Sequence, residues 1–181
     1  MNESIIAVRY AKALFQLAVE KNKADVLKND METLYHSIEA VSELKALFYN
    51  PVVKPGMKTN IIREVFGSFD ADTLGFLTLL IQNRREEYIE EIALNFIKRY
   101  RKYKGIEKVI FTTAIKIDGD IESKIKQQIG KYLKADVEFE SQVDERLIGG
   151  FRLRLGDKQY DASISTKLED LKRKLVKTSI H

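Results

Sequence analysis

Glu86-Glu87 and Glu90-Glu91 place four carboxylates within six residues, a density from which a general acid and a general base could be drawn. They fall in a charge-rich helical pattern, where such pairs are ordinarily solvated. A serine triad needs an internal histidine as its base. The chain has two histidines, His36 and His181, and His36 sits in a charged helical segment that reads as surface. There is no cysteine, which excludes disulfides, thiol catalysis and cysteine-held metal. Neither G-x-x-x-x-G-K-[ST] nor G-x-G-x-x-G occurs, and Gly149-Gly150 is too short to cradle a phosphate. Catalysis, a cofactor and a metal are therefore not expected.

One run points to a different chemistry. Lys98-Arg99-Tyr100-Arg101-Lys102-Tyr103-Lys104 interleaves cations with aromatic rings, the composition that holds phosphates and stacks bases. Nucleic-acid binding is the alternative reading of the chain on this ground. Against it, cations are favoured at a helix C-terminus by the macrodipole, and Tyr100 falls on the apolar stripe of Ile89, Ile92, Ala93 and Phe96. The net charge is +4, shared equally by 1–104 and 105–181, whereas nucleic-acid surfaces concentrate charge. No nucleic acid is expected.

The elements behind these residues change character along the chain. Up to about Lys104 the apolar residues recur at helical spacing. Helices are predicted over Ser4–Glu20, Lys23–Ile38, Ser42–Phe48, from Pro55 to Phe66, from Asp70 or Asp72 to Asn83, and over Glu86–Tyr103. In the fourth, Met57, Ile61, Ile62, Val65 and Phe66 are expected inside. From Gly105 the pattern becomes mixed. Glu107–Ile117 reads as a strand, Asp118–Leu133 as a helix with Ile121, Ile125, Ile129 and Leu133 every four residues, and Val137–Val143 as a second strand. Phe151, Leu153 and Leu155 alternate with Arg152 and Arg154, and Gly156-Asp157 turns the hairpin. Ser163 or Ser165 caps the last helix. The expected fold is α+β: a six-helix bundle over 1–104, then a small α/β domain over 105–181, hinged near Lys102–Gly105. No 18-residue apolar run occurs, so no membrane span is expected. The N-terminus lacks the marks of a signal or transit peptide.

Two of these helices are too apolar to be packed on one side only. On the first, Arg9, Lys12, Gln16 and Glu20 form one narrow polar stripe, and apolar residues take roughly 240° of the circle at about 100° per residue. One-sided packing needs an apolar face of little more than about 100°. The fifth repeats the pattern, with Gly75, Thr78 and Gln82 as its polar stripe. Either both helices are central in the bundle, or a groove between them receives an amphipathic helix from a partner.

The segment Arg9-Tyr10-Ala11-Lys12-Ala13-Leu14-Phe15-Gln16-Leu17-Ala18 resembles the Tyr-Ala-x-Ala-Leu-Phe-x-Leu-Ala opening of the δ subunits of rotary F-type ATP synthases, the family of the mitochondrial oligomycin-sensitivity-conferring protein. Gly149-Gly150, the alternating strand, Gly156-Asp157 and Asp161-Ala162-Ser163 before a leucine-spaced helix resemble the C-terminal signature of that family. Two departures stand out: Ala162 where glycine is usual, and arginine in Asn83-Arg84-Arg85 where many relatives carry a small residue. The resemblance implies a non-catalytic stator subunit, peripheral to the membrane on its cytoplasmic face. Its N-terminal domain would grip N-terminal helices of the α subunits, and its C-terminal domain would hold the b subunits, so that rotor torque drives ATP synthesis. Ile6, Tyr10, Ala13, Leu14 and Leu17 are then the expected partner residues of the first helix. Leu77, Leu80 and Ile81 join them from the fifth by apolarity, and Leu168, Leu171 and Leu175 of the last helix are assigned to b.

Overall fold

The structure is a computed structural model describing residues 4–156 and 158–178, with side chains apart from those of 170 and 174–178. It divides into two compact units, Met1–Tyr103 and Lys104–His181.

The first unit is helical. α1 (Ile5–Glu20), α2 (Ala24–Ala40), α3 (Ser42–Tyr49), α4 (Pro55–Val65) and α5 (Ala71–Gln82) precede a 3-10 turn at Glu86–Tyr88 and α6 (Ile89–Lys104). The boundaries have local causes. α1 closes where Asn22 takes φ 55°, with the Lys23 N–H donating to the Ala18 carbonyl and the Asn22 N–H to that of Val19. This is the Schellman pattern, with asparagine at the left-handed position. α5 closes the same way, Arg84 at φ 55° and the Arg85 N–H on the Leu80 carbonyl at 2.8 Å. Pro55 opens α4 at a position where its missing N–H has no intrahelical partner to lose. Asp70 caps α5, its carboxylate accepting from the Asp72 N–H at 2.9 Å.

The core of this unit is continuous across its helices: Leu14, Leu27, Leu34, Ile38, Ile62, Leu80, Ile89 and Phe96 are all 1% exposed or less. α6 buries Ile89, Ile92, Ala93, Phe96 and Tyr100 as its period predicts, and adds Ile97 and Asn95. α4 departs from its predicted face. Met57 and Val65 are exposed and Ile61 half-exposed; only Ile62 and Phe66 of the predicted set are buried, together with Lys58. The helix is rotated because Lys58, Ile62 and Phe66 share one stripe four residues apart. A lysine stem can line a core when its ammonium is satisfied, and here Nζ donates to the Phe48 carbonyl at 3.1 Å and to Glu86 at 2.6 Å.

The second unit holds β1 (Ile106–Thr113), α7 (Gly119–Leu133), β2 (Asp136–Val143), β3 (Phe151–Leu155), β4 (Lys158–Asp161) and α8 (Ile164–Thr178). The sheet order is β2-β1-β3-β4. β1 and β2 are parallel, joined by the α7 crossover; β3 is antiparallel to β1 and β4. The first strand ends at Thr113 rather than Ile117, because the Thr113 hydroxyl donates to the Ile115 carbonyl at 2.7 Å and its own carbonyl accepts from the Asp144 N–H. Val109, Phe111 and Thr113 are the buried positions of β1. Phe111 packs against Phe139 and Phe151, with ring centroids 5.7 and 5.1 Å away. α7 buries no residue fully; Ile125, Ile129 and Leu133 are half-buried and Ile121 is exposed. The chain is α+β, with a helical N-terminal part and a mixed four-stranded sheet after it.

The glycine-rich signature has a steric basis. Gly150 has φ 81°, and a Cβ there would stand 2.4 Å from the Ala162 carbonyl oxygen. The Ala162 N–H donates to the Phe151 carbonyl and the Ile164 N–H to that of Gly149. Ser163, 1% exposed, caps α8 by accepting from the Thr166 N–H at 3.3 Å. Asp161 accepts from the Ser163 N–H at 2.9 Å and pairs with Arg152 at 3.2 Å. Ala162 is not among the residues with positive φ, which is why alanine serves there.

Candidate partner-binding surface

Three of the four carboxylates of the charge-rich segment make structural contacts, and Glu87 is exposed as expected. Glu86 is not solvated as expected: it is 13% exposed and paired with buried Lys58. Glu90 pairs with Lys45 at 2.8 Å, and Glu91 accepts from the Ser4 N–H at 3.4 Å. His36 is an exposed residue 3.8 Å from Glu39. Among the described residues no group of three metal-ligating side chains is assembled. The basic run at the end of α6 is tied into the fold. Tyr100 is 8% exposed and its hydroxyl donates to Asp25. Tyr103 meets Phe15 edge-on at 5.7 Å, and Lys98, Arg101 and Lys104 are already engaged.

α1 presents two neighbouring stripes. Ala7, Ala11, Leu14 and Ala18 are buried. Ile6, Tyr10 and Leu17 are half-exposed and Ala13 is exposed. The second set recurs at three- and four-residue spacing, so it forms one continuous face. On α5, Thr73, Leu77, Leu80 and Ile81 are buried, whereas Phe76 is half-exposed and Leu79 is 44% exposed. The two open stripes meet: Tyr10 and Phe76 make an edge contact with centroids 6.3 Å apart. Lys21, the next position along the α1 stripe, bonds Asp72, the preceding one along the α5 stripe, at 2.5 Å. The helices therefore run in opposite senses where these stripes meet. Ala13 and Gly75, both exposed, leave room for another backbone to approach.

This sorts the expected partner residues. Ile6, Tyr10, Ala13 and Leu17 lie on the open face. Leu14, Leu77, Leu80 and Ile81 are core, at 1% exposure or less, and form the floor on which that face rests. Phe76 and Leu79 take their place at the surface; the helical wheel showed both as apolar, but not which arc of α5 faced inward.

In the second unit, α8 exposes Ile164, Leu168 and Leu171 at 42%, 58% and 59%. The Leu175 side chain lies outside the described residues. Phe151, stacked on Phe111, is also exposed at 40%. A separate apolar slot of about 220 Å³ lies between α7 and β3–β4, floored by Val109, Leu153 and Leu155 and rimmed by the exposed Tyr132 and Tyr160. No described helix is long and apolar enough to cross a membrane.

A helical unit with a half-exposed apolar stripe, followed by a small sheet unit with exposed leucines, has the character of a protein that binds partners through apolar surface. The model of the ATP synthase delta (OSCP) subunit family matches residues 6–175. The chain belongs to that family and is a non-catalytic subunit of the ATP synthase peripheral stalk. It is 39% identical over 175 residues to the ATP synthase subunit delta of Flavobacterium psychrophilum, covering 97% of this chain and 99% of that one. With its counterpart in Carboxydothermus hydrogenoformans the figures are 35% over 175 residues, 97% and 99%. A chain in the cryo-EM structure of the Toxoplasma gondii mitochondrial ATP synthase hexamer matches with a TM-score of 0.78 at 25% identity, covering 96% of this chain and 98% of that one.

Proposed function

We propose that the furrow between α1 and α5 receives an N-terminal helix of an ATP synthase α subunit, and that the second unit holds the C-terminal end of the b subunits. The bundle of residues 1–104 then sits on the catalytic head, and 105–181 forms the stalk-side domain. The protein works at the cytoplasmic face of the membrane, peripheral to it. The observation that carries this reading is the open stripe of Ile6, Tyr10, Ala13 and Leu17 on α1, joined to the exposed side of α5 by the edge contact of Tyr10 with Phe76. An amphipathic helix laid there buries apolar surface on both sides. Such burial is worth about 25 cal/mol per Å² before association costs, which supplies affinity and stiffness together. On the b side, Leu168 and Leu171 are the exposed anchors of α8. The nucleic-acid reading loses ground because Tyr100 and Ile97 are packed and three cations of the run already have partners.

Isothermal titration with a peptide covering the N-terminal helix of the cognate α subunit tests the furrow. One-to-one binding with a negative heat-capacity change supports it. Absence of binding by the folded protein returns α1 and α5 to a purely structural role.

A further inference from the structure

At one end the furrow is closed by charge. Lys21 bonds Asp72 at 2.5 Å. Lys23 reaches both oxygens of Asp70 and the second oxygen of Asp72, each at 3.0 Å. Behind them, Asp30 of α2 accepts from the Asp70 N–H at 3.0 Å and from the hydroxyl of buried Thr73 at 2.7 Å. The Schellman turn at Asn22 fixes where both lysines start. Two cations from the turn between α1 and α2 are thus gathered on the capping carboxylate and a first-turn carboxylate of α5, where negative charge is also favoured by the helix dipole. Asp72 and Lys21 are not scattered surface ions. They occupy the terminal positions of the two stripes, which also touch where Tyr10 meets Phe76.

We infer that Lys21 and Lys23, acting through Asp72 and Asp70, are positioning residues for partner binding: they set the separation of α1 and α5 and so the width of the furrow that takes the partner helix. This rests on the reading of the furrow as the α-subunit site. The knot touches no apolar anchor itself. Its contribution is to spare the partner from drawing the two walls together, an ordering cost that otherwise comes out of the affinity.

The test is charge reversal with rescue. Lys21→Glu and Asp72→Lys are made singly and together in the full chain, and α-peptide affinity is measured by titration. Because the chain has no cysteine, Gln16→Cys and Gln82→Cys, both at exposed positions, allow spin labels on α1 and α5. The inter-label distance distribution is read without any partner. Each single reversal is expected to broaden that distribution and to weaken peptide binding about tenfold; the double reversal, which rebuilds the 21–72 pair but leaves Lys23 facing a second cation, recovers part of both. An unchanged distribution in the single variants overturns the inference, whatever the peptide does. So does a double variant that recovers neither width nor affinity. Should a single reversal unfold, Asp72→Asn, which keeps the shape and removes the charge, is read in the same two ways. Failure of the wild-type chain to bind the peptide counts against the α-subunit reading alone, since the distance measurement still decides whether the knot holds the walls.

Discussion

Gly150 and Ala162 are packed backbone to backbone, close enough that a methyl group on Gly150 would lie 2.4 Å from the Ala162 carbonyl oxygen. Gly149, its neighbour, faces only the tip of a side chain, Ile164 Cδ1 at 2.7 Å. Two adjacent glycines therefore differ in what they tolerate. Gly150→Ala meets rigid backbone and a φ of 81° together, and is expected to destabilise the second unit by more than about 2 kcal/mol. Gly149→Ala asks only that Ile164 change rotamer, and should cost less than about 1 kcal/mol. Urea denaturation followed by circular dichroism separates the two.

Ala13 and Leu14 make a second contrasting pair. Ala13→Glu puts a charge on the open face of α1 and should abolish α-peptide binding while leaving the melting temperature nearly unchanged. Leu14→Ala, at a 1% exposed position, should lower stability by about 2–5 kcal/mol. Loss of the helical signal in Ala13→Glu would move that residue into the core and remove the open stripe.

Lys58 and Glu86 form a buried pair, at 1% and 13% exposure. Lys58→Ala leaves a carboxylate without its cation and is expected to cost about 3–5 kcal/mol. Lys58→Met combined with Glu86→Gln should recover most of that loss, since buried pairs replaced by matched neutral groups are often tolerated. Equal stability of the single and double variants, measured by chemical denaturation, would sink this account.

Arg84 sits at φ 55° at the end of α5, where a residue with a Cβ is strained. Arg84→Gly is expected to raise stability by up to about 1 kcal/mol, read as a shift in the urea midpoint at constant slope. This conformation also explains why a small residue would suit the Asn83-Arg84-Arg85 turn.

Acid sensitivity follows from the carboxylates. Hydrogen bonds from the Ser163 hydroxyl and N–H, helped by Arg152, hold Asp161 well below the usual carboxylate range. Lys21 and then Lys23 lower Asp72, and the Asp72 N–H and then Lys23 lower Asp70. Because these groups titrate lower folded than unfolded, their stabilisation is complete above about pH 4 and is lost as pH falls through the folded values. Lys23 is raised by Asp70 and Asp72, so its contribution is present below about pH 10.4 and fades as pH climbs past its folded value. Melting temperatures should drop steeply below pH 4, and Asp161→Asn should flatten that acid limb while lowering the plateau.

Helix positions were legible because period and caps agree: Pro55 at the start of α4 and the inward stripe of α6 read directly from the letters, and the cap of α5 was narrowed to Asp70 or Asp72, of which Asp70 serves. The open face of α1 was legible only through its excess apolarity, and the wheel did not separate Leu14 from Tyr10, since a stripe facing a core and a stripe facing a partner have the same composition. The inward arc of α4 was misjudged because Lys58 counts as polar until its acceptors on Phe48 and Glu86 are known, and those lie ten and 28 residues away. The charge knot at the furrow end depends on the meeting of residues about 50 apart, which no local pattern reveals.

The strand order carries a mechanical consequence. β1 enters the sheet at Ile106, level with Asp136, and points toward Thr113; β4 leaves at Asp161, opposite Arg152, which itself pairs with Thr112. The chain thus comes in at one end of the sheet and departs at the other. Tension applied between Gly105 and Ser163 drags β1 and β4 in opposite directions along their own axes, so the hydrogen bonds between β1, β3 and β4 are strained together in shear instead of being unzipped rung by rung. A sheet wired this way yields late and all at once, which suits a tether that must resist a turning motor.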